Sequence, residues 1–321
     1  APTMTIVEDE NNGLELIIDN PEADATITAL SANDPRKSRS RRVPSTPGTY
    51  TALVVRVIDS NNAQMEGDAA SLSKDVFSDE VSLASQFKAC SKDQYKVVPS
   101  SDNSGLGVVD VQVDIPASQG EDSLEWAATS KAEELYGGSE GLGSKYDFVL
   151  FCLPPGTGGW VAYAYINQYN SYYNAEWCSM VSAQMHEIGH NINLAHSGDN
   201  YGDEYGDTSC AMGYAYFEDD GPKMCYNGAK SYQLGWYSDQ TASYDPTTSN
   251  GSKSYVLNGV AKYKENSNAL IALRLVLDGD ADYYVGYNHA VGANSGTQQD
   301  ENNIMITKKS YGGRSEEHTS E

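Results

Sequence analysis

A chain of 321 residues has room for one large domain or two ordinary ones, with a core that needs no staple to hold it. Its net charge of −24 repels phosphate backbones and anionic lipid, which argues against nucleic acid or a membrane surface as partner. It contains no run of 18 apolar residues and so no expected transmembrane helix, and its 39% hydrophobic content with 29 Gly and 23 Tyr points to a loop-rich α/β protein of extracellular type.

Residues 1–42 read as a separate segment, with strands over 5–7 and 14–18 followed by a polar stretch. Arg39-Ser40-Arg41-Arg42 matches the Arg-x-Lys/Arg-Arg pattern cut by processing proteases, with an ordinary solvated basic loop as the alternative. Cleavage after Arg42 would make residues 1–42 the remnant of a pro-segment and Val43 the mature start. A chain that opens on Ala1 is read as processed or fragmentary, so the lack of a visible signal peptide carries no weight.

The next unit is expected over 43–240. Residues 51–58 (TALVVRVI) are a β-branched strand closed by the turn cluster 59–62. Val76, Phe77, Val81, Leu83 and Phe87 fall at roughly helical spacing, predicting a helix over 73–90. Strands follow at 95–98 and 108–113, then a helix over 122–136 with Ser123 as its cap. Residues 146–153 (YDFVLFCL) form a strand stopped by Pro154-Pro155-Gly156, 159–166 another, and a helix runs over 179–192. This alternation predicts a mixed α/β fold on a twisted, mainly parallel sheet. From 241 to 313 the pattern turns all-β, with short strands at 254–260, 269–277, 283–288 and 303–307, expected as a small β-rich region packed behind the first unit. Residues 314–321 (RSEEHTSE) read as the in-frame translation of a sequencing-library adaptor, which removes His318 from functional consideration.

Cys90, Cys152, Cys178, Cys210 and Cys225 form no C-x-x-C pair, so a zinc knuckle or thioredoxin-type site is not expected. Two disulfides with one thiol left over would suit a secreted protein. Cys210 and Cys225 make the best pair on sequence distance, and the other pairings stay open. Asn250-Gly251-Ser252 is a glycosylation sequon. Asp199, Asp203 and Asp207 recur every fourth residue in a Gly-rich stretch that could offer oxygens to Ca²⁺, against the commoner reading as a solvated acidic loop.

The chemistry concentrates in residues 186–196, HEIGHNINLAH. Residues four apart on a helix are offset by about 40°, so His186 and His190 present two imidazoles on one side, as two ligands of a tetrahedral Zn²⁺ require. Glu187 stands beside the first ligand, where it can take a proton from water acidified by the metal. Val181, Met185, Ile188 and Ile192 give the helix an apolar inner face. His196 lies six residues past His190 and reaches the metal only if the helix stops and the chain turns back. That turn needs a left-handed residue, and Asn193 occupies the position where Gly is usual.

These residues resemble the metzincin pattern H-E-x-x-H-x-x-G-x-x-H, with Asn193 in place of the Gly. The resemblance implies a methionine turn beneath the metal, for which Met212 in Cys210-Ala-Met-Gly-Tyr214 is the candidate. It also implies a role for Tyr214 near the metal or the oxyanion, the alternative being an aromatic wall of the cleft. Among metzincins the chain is most similar to the gametolysin family, through residues 51–57, 72–77, 186–198 and 229–236 (AKSYQLGW), and more weakly 283–297. That implies a secreted zinc endopeptidase, made as a zymogen and acting on proteins and glycoproteins of a matrix or cell wall. Two rivals remain: a gluzincin-type peptidase with Glu204 or Glu218 as third ligand, and a non-catalytic matrix module holding structural zinc. Glu187 argues against the second, since a structural site has no need of it.

Overall fold

The computed structural model describes residues 3–8, 14–19, 44–214, 219–245, 253–276, 281–310 and 316–320. Arg42, Glu218 and Asn250 lie outside them. Two antiparallel strands come first, β1 (Thr3–Glu8) and β2 (Leu14–Asp19).

The central sheet is built on β3 (Gly48–Ile58), whose period-two alternation sends Ala52 and Val54 into one core layer and Leu53, Val55 and Val57 into the other. β4 (Tyr95–Pro99) pairs with the first half of β3 and β5 (Val108–Gln112) with the second, while β6 (Phe148–Leu153) lies along its other side. β6 is apolar and buried at every position, as a strand covered on both faces must be. Two more strands complete the sheet, β7 (Ala162–Ala164) and β8 (Asn170–Asn174). β8 pairs parallel with β6, and β7 lies antiparallel on β8 as the edge strand. The fold is therefore the mixed α/β, mainly parallel arrangement expected.

Helices cover both faces. α1 (Leu83–Cys90) and α3 (Val181–Asn191) share one core with Phe148 and Leu150, and α2 (Glu121–Ala132) buries Leu124, Ala128 and Ala132 against Val149 and Phe151. The single helix expected over 73–90 is broken, because Ser82 and Ser85 form a reciprocal capping box that restarts it. α2 begins at Glu121 behind Gly120, without the Ser123 cap, and the strand expected over 159–166 contracts to β7. After α4 (Gly228–Leu234) the described residues contain strands and short 3-10 turns but no further α-helix.

β9 (Ser197–Asp199), β10 (Thr241–Tyr244), β11 (Lys253–Leu257), β12 (Ala272–Leu275), β13 (Ala281–Tyr287), β14 (Ile304–Ser310) and β15 (Glu316–Ser320) make up the rest. Six of them form one sheet in the order β10-β12-β13-β14-β15-β9, while β11 pairs with β2. The N-terminal strands thus join the β-rich region, and the tail supplies the strand beside β9.

The expected Cys210–Cys225 bridge is not formed. Cys90 pairs with Cys225 and Cys152 with Cys178, leaving Cys210 as a buried thiol. Segments 210–211 and 225 run side by side, with Ala211 N donating to Cys225 O at 3.0 Å. The Cys225 sulfur meets α1, while the Cys210 sulfur accepts from Asn227 N at 3.3 Å. Burial pushes the Cys210 thiol up to about 11. Cys90 and Cys225 are 135 residues apart and the second pair 26. Chain entropy then ranks the losses, at about 5 kcal/mol for Cys90→Ser/Cys225→Ser against about 3.5 kcal/mol for Cys152→Ser/Cys178→Ser. Urea unfolding of the two double variants checks this, and the reverse ranking would contradict it.

Candidate metal centre

α3 is held by its apolar side: Val181, Met185 and Ile188 are buried in the same core as Phe148. It ends at Asn191 with Ile192 as its C-cap, after which Asn193 takes φ +77°. Leu194 N donates to Gly189 O and Asn193 N to His190 O, both at 2.9 Å, which is the Schellman closure of a helix end. Asn193 tolerates the left-handed conformation, and its side-chain oxygen accepts from Asn167 Nδ2 at 2.6 Å. The reversal carries His196 back to the helix.

The three imidazoles converge, with one ring nitrogen of each lying within 4.8 Å of the others; among the described residues they form the only such cluster of metal-ligating groups. Their outer nitrogens decide the tautomers. His186 Nδ1 is 3.1 Å from Ala211 O and His190 Nδ1 is 2.8 Å from Leu194 O. A carbonyl only accepts, so both Nδ1 atoms carry the hydrogen. His196 Nδ1 lies 3.7 Å from the Glu204 carboxylate, beyond hydrogen-bond length, and the negative charge there favours the hydrogen on that side. Each Nε2 then directs a lone pair inward, and those of His190 and His196 stand only 3.0 Å apart. Two lone pairs at that distance call for a cation between them.

Burial pushes His190 and His196 down to about 4, with the Lys230 ammonium adding to the effect at His196, and holds His186 well below the usual imidazole range. The rings are neutral at neutral pH, as ligation requires. Beside them Glu187 is 4% exposed, and its Oε2 has no hydrogen-bond partner among the described residues. An orphaned acceptor at three inward-facing imidazoles fits a divalent metal with water. Burial raises the Glu187 carboxyl to about 8.

These shifts set a pH dependence for the metal-free protein. An unfolded imidazole titrates near 6.5 and a glutamate near 4.3. As pH falls from 6.5 toward 4.5, the unfolded chain binds protons on three imidazoles that the native state refuses, against one carboxyl of opposite sign, so stability is lost. Above 6.5 only the raised Glu187 acts, and it favours the native state as pH falls from 8. Chelated protein is expected to melt at progressively lower temperature from pH 6.5 to 4.5, with a shallower slope in His190→Gln. Parallel slopes in the two proteins would contradict the assignment.

Met212 lies fully buried against the ligand helix. A Cβ added at Gly189 would sit 2.3 Å from Met212 Sδ and 3.3 Å from the Tyr226 hydroxyl. Alanine gains about 1 kcal/mol of helix propensity over glycine, but overpacking a filled core costs about 1–3 kcal/mol. A contact this deep inside the van der Waals limit puts the cost at the upper end. Gly189→Ala is therefore expected to destabilise by about 1–2 kcal/mol, measured by thermal unfolding. A gain in stability would place Met212 elsewhere.

The cleft around the histidines is lined by Val161, by residues of β7, and by Tyr205 and Tyr214. Tyr214 is 45% exposed, and its backbone N donates to Tyr205 O at 2.9 Å. Sequence reasoning passed over Tyr205, whose ring lies 4.1 Å from that of His196. It also passed over Lys230, fully buried, whose Nζ donates to His196 O at 3.3 Å. Neither stands at a spacing that periodicity could read, although Lys230 falls in the 229–236 segment already singled out. Glu204, a rival third ligand, faces the outer nitrogen of His196 and not the centre. The Ca²⁺ reading of the acidic stretch finds no support. Asp199 Oδ1 accepts from Tyr201 N and Asp203 N, Asp203 Oδ1 from Tyr205 N, and Asp207 from Ser209 and Asn227, so these carboxylates brace the loop itself.

A mainly parallel α/β sheet carrying a helix with two of three clustered histidines, closed by a left-handed turn to the third, defines a metallopeptidase of metzincin-like fold. The gametolysin peptidase M11 family model matches residues 71–301, and the chain belongs to that family. No curated protein matches it.

Proposed function

We propose that the protein is a secreted zinc endopeptidase that cleaves proteins and glycoproteins of an extracellular matrix or cell wall. The observation that carries the catalytic part is the convergence of three imidazole nitrogens beside Glu187, whose buried Oε2 has no hydrogen-bond partner among the described residues. His186, His190 and His196 hold the metal; zinc suits three imidazoles, and when bound it supplies Lewis acidity toward water and the peptide carbonyl. A cation there favours the ionised form of Glu187 and reverses the effect of burial. Glu187 takes the proton of the attacking water and delivers it to the departing amide nitrogen. The edge strand β7 borders the cleft, and among the described residues no strand pairs with its outer side, which suits an extended peptide laid along it. Tyr214 lines the same cleft and is read as the residue that meets the substrate carbonyl.

Two disulfides and a strongly acidic surface support an extracellular setting. Residues 1–42 are read as a pro-segment released at Arg42, with 43–240 the catalytic unit and 241–313 a β-rich companion. The test is hydrolysis of casein and of a wall glycoprotein by protein starting at Val43. Chelation is expected to abolish cleavage and stoichiometric zinc to restore it. Cleavage that survives complete metal removal would overturn the reading.

A further inference from the structure

We propose that Glu204 is a positioning residue for His196, and that with the Tyr205 ring it sets how firmly the centre retains its metal. This rests on the reading of the three histidines as metal ligands. Two of the imidazoles stand on α3, where the helix fixes their Cα positions and backbone carbonyls fix their tautomers. His196 has no helix beneath it, so its ring must be held by other contacts.

Three contacts do so. Lys230 Nζ grips the His196 carbonyl, the Tyr205 ring lies 4.1 Å away at 38° to the imidazole, and Glu204 Oε2 lies 3.7 Å from Nδ1. Only the last can choose the tautomer. A carboxylate at Nδ1 keeps the hydrogen there and the Nε2 lone pair on the metal side, the same arrangement the carbonyls impose on His186 and His190. At 3.7 Å the pair has ion-pair separation, longer than a hydrogen bond. The Glu204 side chain is 62% exposed, which leaves it free to close on Nδ1 when the imidazole carries part of a metal's charge.

The loop is shaped to present this pair. Asp199 and Asp203 fold it by accepting their own backbone N–H groups, including that of Tyr205, while no hydrogen bond within the loop engages the Glu204 carboxylate. Tyr205 O accepts from Tyr214 N, which ties the presenting loop to the turn below the centre. The acidic stretch thereby has a use that calcium does not supply: its aspartates build the loop, and its glutamate orients a ligand.

The experiment is zinc binding by chelator competition, with the dissociation rate measured alongside, on the full chain. Glu204→Ala is expected to raise the zinc Kd about 10- to 100-fold, chiefly through faster release. Glu204→Gln, which keeps an acceptor oxygen, should fall between it and wild type, and Tyr205→Ala, which removes the ring, should also raise the Kd. Glu140→Ala, which removes the same charge at an exposed position elsewhere, should leave affinity unchanged. The melting temperature of the chelated protein should not differ among them, which separates ligand orientation from folding. A Glu204→Ala Kd within twofold of wild type overturns the proposal while leaving the metal reading intact. A wild-type chain that binds no zinc overturns both.

Discussion

Glu187→Ala is expected to lower kcat for peptide hydrolysis by about 10²- to 10⁴-fold while zinc content stays at one per chain. The separation of the two readouts follows from geometry. Three imidazole nitrogens form the cluster and Glu187 contributes no atom to it, so the donor set survives the substitution. What disappears is the carboxylate beside that set, whose buried Oε2 has no hydrogen-bond partner among the described residues. Among the described residues no other carboxylate lines the cleft, and Glu204 stands on the outer nitrogen of His196. Equal turnover in wild type and variant would remove the proton-transfer role, and loss of zinc in the variant would recast Glu187 as a ligand.

His196→Ala is expected to lose most of the bound zinc and, with it, activity. The helix then keeps two imidazoles, and two neutral donors bind a divalent ion far more weakly than three. The fold should persist. The core behind the centre is built from Met185, Ile188, Met212 and their neighbours, and His196 is no part of it. Metal analysis after dialysis, with circular dichroism on the same sample, distinguishes the outcomes. Stoichiometric zinc in a folded variant would contradict the ligand set. His190→Ala should behave alike in metal content but less well in stability, since that imidazole also bonds Leu194 O at the helix end.

Both variants could have been chosen from the sequence, because the facts behind them are local. The i, i+4 pair, the apolar face of Val181, Met185 and Ile188, and a left-handed turn at Asn193 are each written within a dozen residues. The strand at 148–153 was legible for the same reason, being apolar at every position between turn signals. What stayed hidden is non-local or rests on a competing local signal. The disulfides join positions 135 and 26 residues apart, and sequence nearness misassigned Cys225 because two adjacent segments turn their sulfurs apart. Tyr205 and Glu204 come to His196 on an irregular loop, and Lys230 arrives from α4, with no periodicity to announce either. The helix over 73–90 failed on a signal that was present, since Ser82 and Ser85 are spaced as a capping box and outweigh the apolar spacing that runs across them.

The contact between Gly189 and Met212 has a further meaning when the two positions are counted as one volume. The thioether fills the notch left where the ligand helix carries no side chain, so neither residue has a size of its own. A methyl group added at 189 must be subtracted at 212, and Gly189→Ala combined with Met212→Val should recover stability that Gly189→Ala alone loses. The spacing of the histidines along the helix is thus only half of what places them: how deep the helix sits is gauged by a sulfur atom 23 residues away in the chain.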